Sequence, residues 1–153
     1  MNETAPRVIK IPAKPESVRQ AALKRQLRVA AYCRVSTKEE DQANSYEVQK
    51  EYYTDKIMSN SAWTMAGIFA DKGITGTSVK KREDFMRMIR HCRQKKIDIV
   101  LTKSVSRFAR NTVDCLYYTR ALKELGIAVI FEKENINSLE EDSELRITLS
   151  GAF

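Results

Sequence analysis

An arginine and a serine lie two residues apart at the point where a strongly apolar run ends. Residues 27–33 read LRVAAYC, which is typical of a buried strand, and Arg34 and Ser36 follow them. Side chains alternate between the two faces of a strand, so we expect Arg34 and Ser36 to share a face. A hydroxyl group beside a fixed cation at a strand end is a candidate nucleophile for attack on a phosphate.

A second basic segment lies about seventy residues further on, where residues 104–111 read SVSRFARN. Arg107 and Arg110 are three residues apart, and on a turn that enters a helix capped by Asn111 they would project to one side. Fixed cations of this kind stabilise the charge that a phosphodiester gathers when it is attacked, and they do so without a metal. On spacing alone, an ordinary surface patch of arginines in ion pairs remains the competing interpretation.

The apolar pattern predicts which elements position these two segments. Strands are predicted over residues 27–33, 64–70, 97–102 and 127–131, helices over 45–60, 83–94 and 111–125, a loop over 71–77, and a final apolar helix over 145–153. Strands that alternate with helices indicate a three-layer α/β domain with a mainly parallel central sheet. Ligands bind beyond the carboxyl ends of such strands, so both segments should meet there.

The helices carry their own signals of facing and of termination. We predict apolar stripes formed by Val48, Tyr52, Tyr53 and Ile57 in the first helix and by Phe85, Met88, Ile89 and Cys92 in the second. Asn44 or Ser45 can cap the first helix, and Gly126 is a usual signal for the end of the third.

Composition and charge restrict the class of protein. The 153 residues are 42% hydrophobic and 31% charged, which suits one soluble domain, and the net charge of +7 favours a polyanionic partner, nucleic acid before an anionic membrane. No run of about 18 apolar residues is present to span a membrane.

Residues 1–26 hold all three prolines and are basic, which predicts a flexible arm before a domain over residues 27–153. Because the last apolar segment reaches the end of the chain, we expect a fragment truncated within a long helix.

Several common chemistries lack their residues. The single histidine, His91, lies in no motif and is expected to be structural, which makes a Ser-His-Asp triad improbable. No zinc-protease helix motif, paired Cys/His spacing or phosphate-binding glycine loop occurs, so we expect neither a metal nor a cofactor. Three cysteines, an odd number with no close pair, suggest reduced thiols rather than a disulfide framework.

At these residues the chain resembles the catalytic domain of serine site-specific recombinases, the resolvase/invertase family, and within it the large transposon and phage-integrase branch. The motifs that carry the resemblance occur in order: residues 32–37 (YCRVST), Gln49, Asp71 with the glycine loop 73–77, Arg82 followed by an acid, and residues 106–111 (SRFARN). The resemblance runs from about residue 28 to residue 153.

The resemblance implies roles for these residues. Ser36 would be the nucleophile that attacks a DNA phosphate to form a 5′-phosphoserine link and release a 3′-hydroxyl. Arg34, Arg107 and Arg110 would hold the phosphate, and Arg82 matches a further active-site arginine on a mobile loop. Tyr32, Gln49 and Asp71 match supporting positions that shape the pocket. Neither a metal nor ATP is implied.

The resemblance also implies partners, and one position of this chain departs from the family pattern. It predicts double-stranded DNA as substrate, homodimers that assemble into a tetramer, and a location in the bacterial cytoplasm with the nucleoid. Resolvases usually carry an aspartate where this chain has Ser106, which cannot carry the charge. This departure leaves open a non-catalytic DNA-binding or assembly module of the same fold. A third interpretation is a regulatory phosphate-binding domain that does not bind DNA.

Overall fold

The computed structural model describes residues 25–36, 40–73 and 82–153. Its strands are β1 (Leu27–Ser36), β2 (Trp63–Gly73), β3 (Ile99–Thr102), β4 (Ala128–Phe131) and β5 (Ile136–Asn137). Its α-helices are α1 (Tyr46–Met58), α2 (Glu83–Arg93), α3 (Val105–Phe108), α4 (Thr112–Glu124) and α5 (Ser143–Leu149), and a 3₁₀ turn (Gln42–Asn44) precedes α1.

The strands form one sheet in the order β2-β1-β3-β4-β5. Strand β1 pairs in parallel with β2 and β3, β3 pairs in parallel with β4, and the two-residue β5 is antiparallel to β4. The predicted α/β class with a mainly parallel central sheet is confirmed.

Strand β1 is apolar almost throughout because the sheet is covered on both faces. Its alternate side chains enter two separate cores. Ala30 and Tyr32 pack into the core that includes residues of α2, α4 and α5, whereas Val29, Ala31 and Cys33 pack into the core that includes residues of α1. These are the three layers that the alternating pattern predicted.

The predicted helix boundaries are close to those of the structure because their caps are formed. The Ser45 hydroxyl accepts a hydrogen bond from the Val48 amide at 3.2 Å, so Ser45 rather than Asn44 caps α1. The Asn111 side chain accepts from the Asp114 amide at 2.8 Å and caps α4. Gly126 follows α4 with a φ of 78°, a left-handed conformation that glycine adopts without strain.

The predicted apolar stripe of α1 is wrong in two of its four members. The buried residues of α1 are Gln49, Tyr53 and Ile57, which repeat every four residues, while Val48 and Tyr52 are 46% and 52% exposed. The polar Gln49 takes the place that an apolar residue was expected to occupy, because its amide nitrogen donates to two backbone carbonyls.

Strand ends differ from the sequence pattern as well. Asp71 and Gly73 belong to β2 rather than to a loop, because β2 stays paired with β1 as far as Ser36 and Gly73. Residues 74–77 of that predicted loop lie outside the described residues. Strand β3 begins at residue 99 rather than 97. The four-residue α3 and the two-residue β5 are too short to give a periodic signal, and the sequence pattern missed them.

At the two ends of the chain, the structure covers only part of what the sequence predicts. The basic arm predicted over residues 1–26 lies outside the described residues apart from Arg25 and Gln26. The last apolar segment forms a shorter helix than predicted, since α5 ends at Leu149 and residues 151–153 are not helical. Within the described part of the chain, no helix is both long enough and apolar enough to cross a membrane.

We expect the thiols to be unreactive in the native protein. Cys33, Cys92 and Cys115 are free and buried, and burial raises the pKa of each to about 12, so little thiolate forms at pH 8. A chromogenic disulfide reagent should modify none of them within an hour in native buffer and all three after unfolding in urea. Rapid modification of one thiol in the native state would show that the core around it opens.

Candidate active site

The candidate site lies where β1 extends beyond its neighbour β3. The last residue of β3, Thr102, is paired with Tyr32, and its hydroxyl donates to the Tyr32 carbonyl at 3.1 Å. Strand β1 continues to Ser36 and is paired there with β2 alone, through Gly73. One edge of β1 is therefore open to side chains over its last residues.

The main-chain carbonyl of Arg34 is the meeting point of this open edge. It accepts hydrogen bonds from Gln49 Nε2 at 3.0 Å and from Arg107 Nη1 at 3.4 Å. Gln49 also donates to the carbonyl of Asn44 at 3.0 Å. Helix α1, which carries Gln49, and helix α3, which carries Arg107, are thus both attached to the end of β1.

The side chain of Arg34 forms a hydrogen bond from β1 to α3, and Arg107 forms one from α3 to β1. Its Nη1 donates to the main-chain carbonyl of Ser106 at 3.0 Å, while Arg107 donates to the Arg34 carbonyl. The guanidinium lies along Gly73, with Nε 3.5 Å from the position that a Cβ there would occupy. The structure therefore brings Arg34, Ser106 and Arg107 together, as the sequence predicted for two segments at the carboxyl edge of the sheet.

The acceptors of both arginines are uncharged. Within residues 25–36, 40–73 and 82–153, neither Arg34 nor Arg107 has a carboxylate within 4.0 Å. A carbonyl oxygen orients a guanidinium without neutralising it, so no carboxylate among the described residues competes with an anion for either arginine. This arrangement suits a phosphate group better than it suits the ion-paired surface patch considered above.

Ser36 is the last residue of β1. Arg34 and Ser36 are partly exposed, and Val35 between them is buried, which agrees with the expected alternation that puts the first two on one face. The residues that follow, 37–39, lie outside the described residues.

A second set of contacts ties β1, β2 and α2 through the carboxylate of Asp71. It accepts from the Tyr32 hydroxyl at 2.8 Å and from the amides of Asp84 and Phe85 at 2.9 and 3.0 Å. In return, the Asp84 carboxylate accepts from the Ala70 amide of β2 at 2.9 Å. Burial raises the pKa of Tyr32 above its ordinary value, so the phenol keeps its proton and donates.

Arg82 belongs to this second set. Its guanidinium lies 3.6 Å from the centre of the Phe85 ring and 5.4 Å from that of Tyr32. It donates to the Phe108 carbonyl and forms an ion pair with Asp114 at 3.4 Å. Arg82 is therefore held against α2 and α4 by partners that include a carboxylate, unlike Arg34 and Arg107.

Arg110 occupies a different place from the one expected. Arg107 and Arg110 are not on one turn: Arg107 lies in α3, and Arg110 lies in the short link before α4, because the chain becomes extended at Ala109. Arg110 is exposed, and its amide donates to Asp114 Oδ2 at 3.4 Å.

Ser106 contributes its main chain to the site, and Asn44 is a residue that the sequence interpretation missed. The Ser106 hydroxyl lies 3.2 Å from that of Ser104. Asn44 Oδ1 accepts from Arg107 Nη2 at 3.4 Å, although the sequence suggested Asn44 only as a helix cap. Its position just before the helix that carries Gln49 was the one available signal.

Glu132, the residue after β4, binds three side chains of α1. Its carboxylate accepts from Tyr52 at 2.9 Å, from Tyr53 at 2.6 Å and from Lys56. Burial alone would raise the pKa of Glu132, but these three donors together hold it below its ordinary value. Within the described part of the chain, no three acidic, histidine or cysteine side chains form a group that could hold a metal ion.

Comparison with known proteins assigns this fold to a family. Residues 29–153 match the family model described as the resolvase N-terminal domain. Because the match covers most of the chain, the chain belongs to the resolvase N-terminal domain family, and the predicted family is confirmed.

Individual relatives agree with this assignment. The R46 site-specific recombinase of Escherichia coli is 26% identical over 126 residues, which cover 82% of this chain and 60% of that protein. The chain thus spans about 60% of the length of this curated relative. A resolvase family site-specific recombinase from Streptococcus pneumoniae is 29% identical with a TM-score of 0.64, over 83% of this chain and 85% of that one.

A further solved structure shares the fold. The N-terminal catalytic domain of TP901-1 integrase has a TM-score of 0.62 at 23% identity, over 82% of this chain and 92% of that one.

We expect Asp71→Asn to destabilise the fold by about 1–3 kcal/mol in urea unfolding. The carboxylate accepts three hydrogen bonds, and an amide nitrogen in its place would face at least one donor. Tyr32→Phe should cost only about 1 kcal/mol, since Asp71 keeps its two amide partners. Asp55→Asn, an exposed aspartate of α1, is the control, and an Asp71→Asn protein as stable as this control would contradict the role of Asp71.

Proposed function

We propose that this chain is the catalytic domain of a site-specific recombinase that cleaves and rejoins double-stranded DNA through Ser36. The observation that carries the proposal is the pair of guanidinium groups, Arg34 and Arg107, held by main-chain carbonyls beside the strand end that bears Ser36. The family assignment and the names of the relatives, which are site-specific recombinases, support the same reaction.

The reaction is an exchange of phosphate esters. The Ser36 hydroxyl oxygen bonds to the phosphorus while the bond from phosphorus to the 3′ oxygen breaks. The Ser36 hydroxyl gives up its proton as this bond forms, the departing 3′ oxygen takes up one proton and leaves as a hydroxyl, and the 5′ end stays linked to Ser36 through the phosphate. Arg34, Arg107 and Arg110 bind the phosphate oxygens, where negative charge accumulates in the transition state. Attack by a 3′-hydroxyl reverses the exchange, so the ester energy is conserved and ATP is not required.

The remaining residues support this chemistry in the proposal. Gln49 fixes the end of β1, and Tyr32 with Asp71 fixes the start of α2. Arg82 reaches the phosphate only after it leaves Asp114, while Ser106 positions Arg34 through its carbonyl. The intact protein acts in the bacterial cytoplasm as homodimers that assemble into a tetramer on two DNA sites. No metal takes part in this scheme.

A second function is favoured by one observation, the serine at position 106. Where proteins that resemble this chain carry an aspartate, the Ser106 side chain contacts Ser104 and supplies no charge. A chain that had lost its proton-transfer group could remain a DNA-binding or assembly module of the same fold. The two functions differ in one measurable respect, the formation of a covalent link between Ser36 and DNA.

We expect Ser36→Ala to abolish the covalent protein–DNA adduct while DNA binding stays nearly intact. The substitution removes the attacking oxygen but leaves the arginines in place. The intact natural protein is incubated with duplexes taken from the DNA that flanks its gene, adducts that survive denaturation are separated by electrophoresis, and mass spectrometry maps the attachment residue. Binding is measured by mobility shift on the same duplexes.

Ser59→Ala, an exposed serine at the end of α1, is the matched control and should form the adduct as the wild-type protein does. An adduct at another residue, or a loss of binding as large as the loss of cleavage, would count against Ser36 as the nucleophile. Good binding by the wild-type protein without any adduct would favour the non-catalytic module.

We expect Arg107→Ala and Arg110→Ala each to raise the activation free energy of cleavage by about 3 kcal/mol, or roughly a hundredfold in rate, because each removes a cation from the phosphate. Single-turnover cleavage at saturating DNA measures this step. Arg93→Ala, at the far end of α2, is the control. A rate near that of the control for either variant would remove that arginine from the site.

A further inference from the structure

Asn44 connects the guanidinium of Arg107 to a carboxylate that Arg107 does not itself contact. Asn44 ends the 3₁₀ turn between β1 and α1. Its Oδ1 accepts from Arg107 Nη2 at 3.4 Å, and its Nδ2 donates to both carboxylate oxygens of Asp41, at 2.9 and 3.0 Å. Its main-chain carbonyl accepts from Gln49.

The orientation of the amide follows from its partners. An ionised carboxylate only accepts hydrogen bonds, so the NH₂ group of Asn44 must face Asp41. A guanidinium only donates, so the oxygen of Asn44 must face Arg107. Both ends of the amide are satisfied in this orientation alone, and the side chain of Arg107 is held in one place by Asn44 and by the Arg34 carbonyl.

The carboxylate strengthens the bond that Asn44 makes with Arg107. A negative charge next to the NH₂ group polarises the amide, which makes its oxygen a better acceptor. The charge of Asp41 therefore strengthens the hydrogen bond of Arg107 without direct contact, because the side chain of Asn44 lies between them. Direct contact with a carboxylate would offset the positive charge of the guanidinium, whereas a polarised amide orients it and leaves that charge for an anion.

Ser106, the residue next to Arg107, does not orient the Arg107 guanidinium. The Ser106 hydroxyl lies against Ser104, and the acceptors that the described residues offer to the Arg107 side chain are the Arg34 carbonyl and Asn44. We propose that Asn44, polarised by Asp41, is a positioning residue that aims Arg107 at the scissile phosphate. This inference rests on the proposed function, since it concerns the orientation of one of its arginines.

The test is a double-mutant cycle in single-turnover cleavage at saturating DNA, with DNA affinity measured in parallel. Asn44→Ala should lower the maximal cleavage rate about tenfold and change DNA affinity much less. In a chain that already carries Arg107→Ala or Arg107→Lys, Asn44→Ala should cause no further loss, because Asn44 acts through the guanidinium. Asp41→Asn should cost about threefold in rate, and nothing further in the Asn44→Ala chain.

Asn60→Ala is the matched control, because Asn60 also accepts a local hydrogen bond, from the Ala62 amide at 2.9 Å, but beyond the other end of α1. It should leave the rate unchanged in every background. Equal losses from Asn44→Ala with and without Arg107 would show a role in holding the turn or α1 and would overturn the proposal. A wild-type rate for Asn44→Ala would overturn it as well.

A measurement without DNA separates this inference from the proposed function. In the free protein, the guanidinium NMR signal of Arg107, assigned with Arg107→Lys, should show restricted rotation that Asn44→Ala and Asp41→Asn release. An unchanged signal in both variants refutes the positioning role even where cleavage occurs. If the signal changes but the wild-type protein forms no adduct with DNA it binds, the positioning stands and the proposed function fails.

Discussion

The site depends on an imbalance in length between two neighbouring strands. Strand β3 ends opposite Tyr32, so the part of β1 that follows lacks a strand partner on that side. A main-chain carbonyl exposed in this way needs donors. The carbonyl of Arg34 obtains them from Gln49 and Arg107, and those two bonds bring α1 and α3 to the same strand end. A longer β3 would satisfy the carbonyl and leave both side chains without this anchor.

The opposite edge of β1 is held by its pairing with β2 and by hydrogen bonds to a carboxylate on β2. Strand β2 accompanies β1 to its end, and Asp71 on β2 uses its carboxylate to bind the first amides of α2 together with the Tyr32 hydroxyl. The amides at a helix start have no partners within the helix, so a carboxylate there is doubly favourable. The contacts at the Arg34 carbonyl and those at the Asp71 carboxylate both hold β1. Together they fix the end of the strand that carries Ser36 from both sides.

The sequence predicted those parts of the molecule that depend on periodicity and on caps. Strand β1, the caps Ser45 and Asn111, and the meeting of two basic segments at the carboxyl edge all follow from local patterns. The bonds that assemble the site do not, because their acceptors are main-chain carbonyls, which every residue possesses. For the same reason the apolar pattern of the first helix did not indicate that Gln49 is buried, and Asn44 was interpreted only as a possible cap.

The arginines differ in whether the described residues compensate their charges. Arg82 lies over an aromatic ring and is paired with Asp114, so much of its charge is already compensated. Among the described residues, Arg34 and Arg107 are held by neutral oxygens, and two cations that no described carboxylate compensates repel each other when they lie close together. If the chain acts as we propose, an incoming phosphate relieves that repulsion, and the relief grows as negative charge builds on the phosphate oxygens during attack. In the proposed reaction, neutral acceptors therefore favour the transition state over the empty site, whereas carboxylate partners at the same positions would already compensate the two cations.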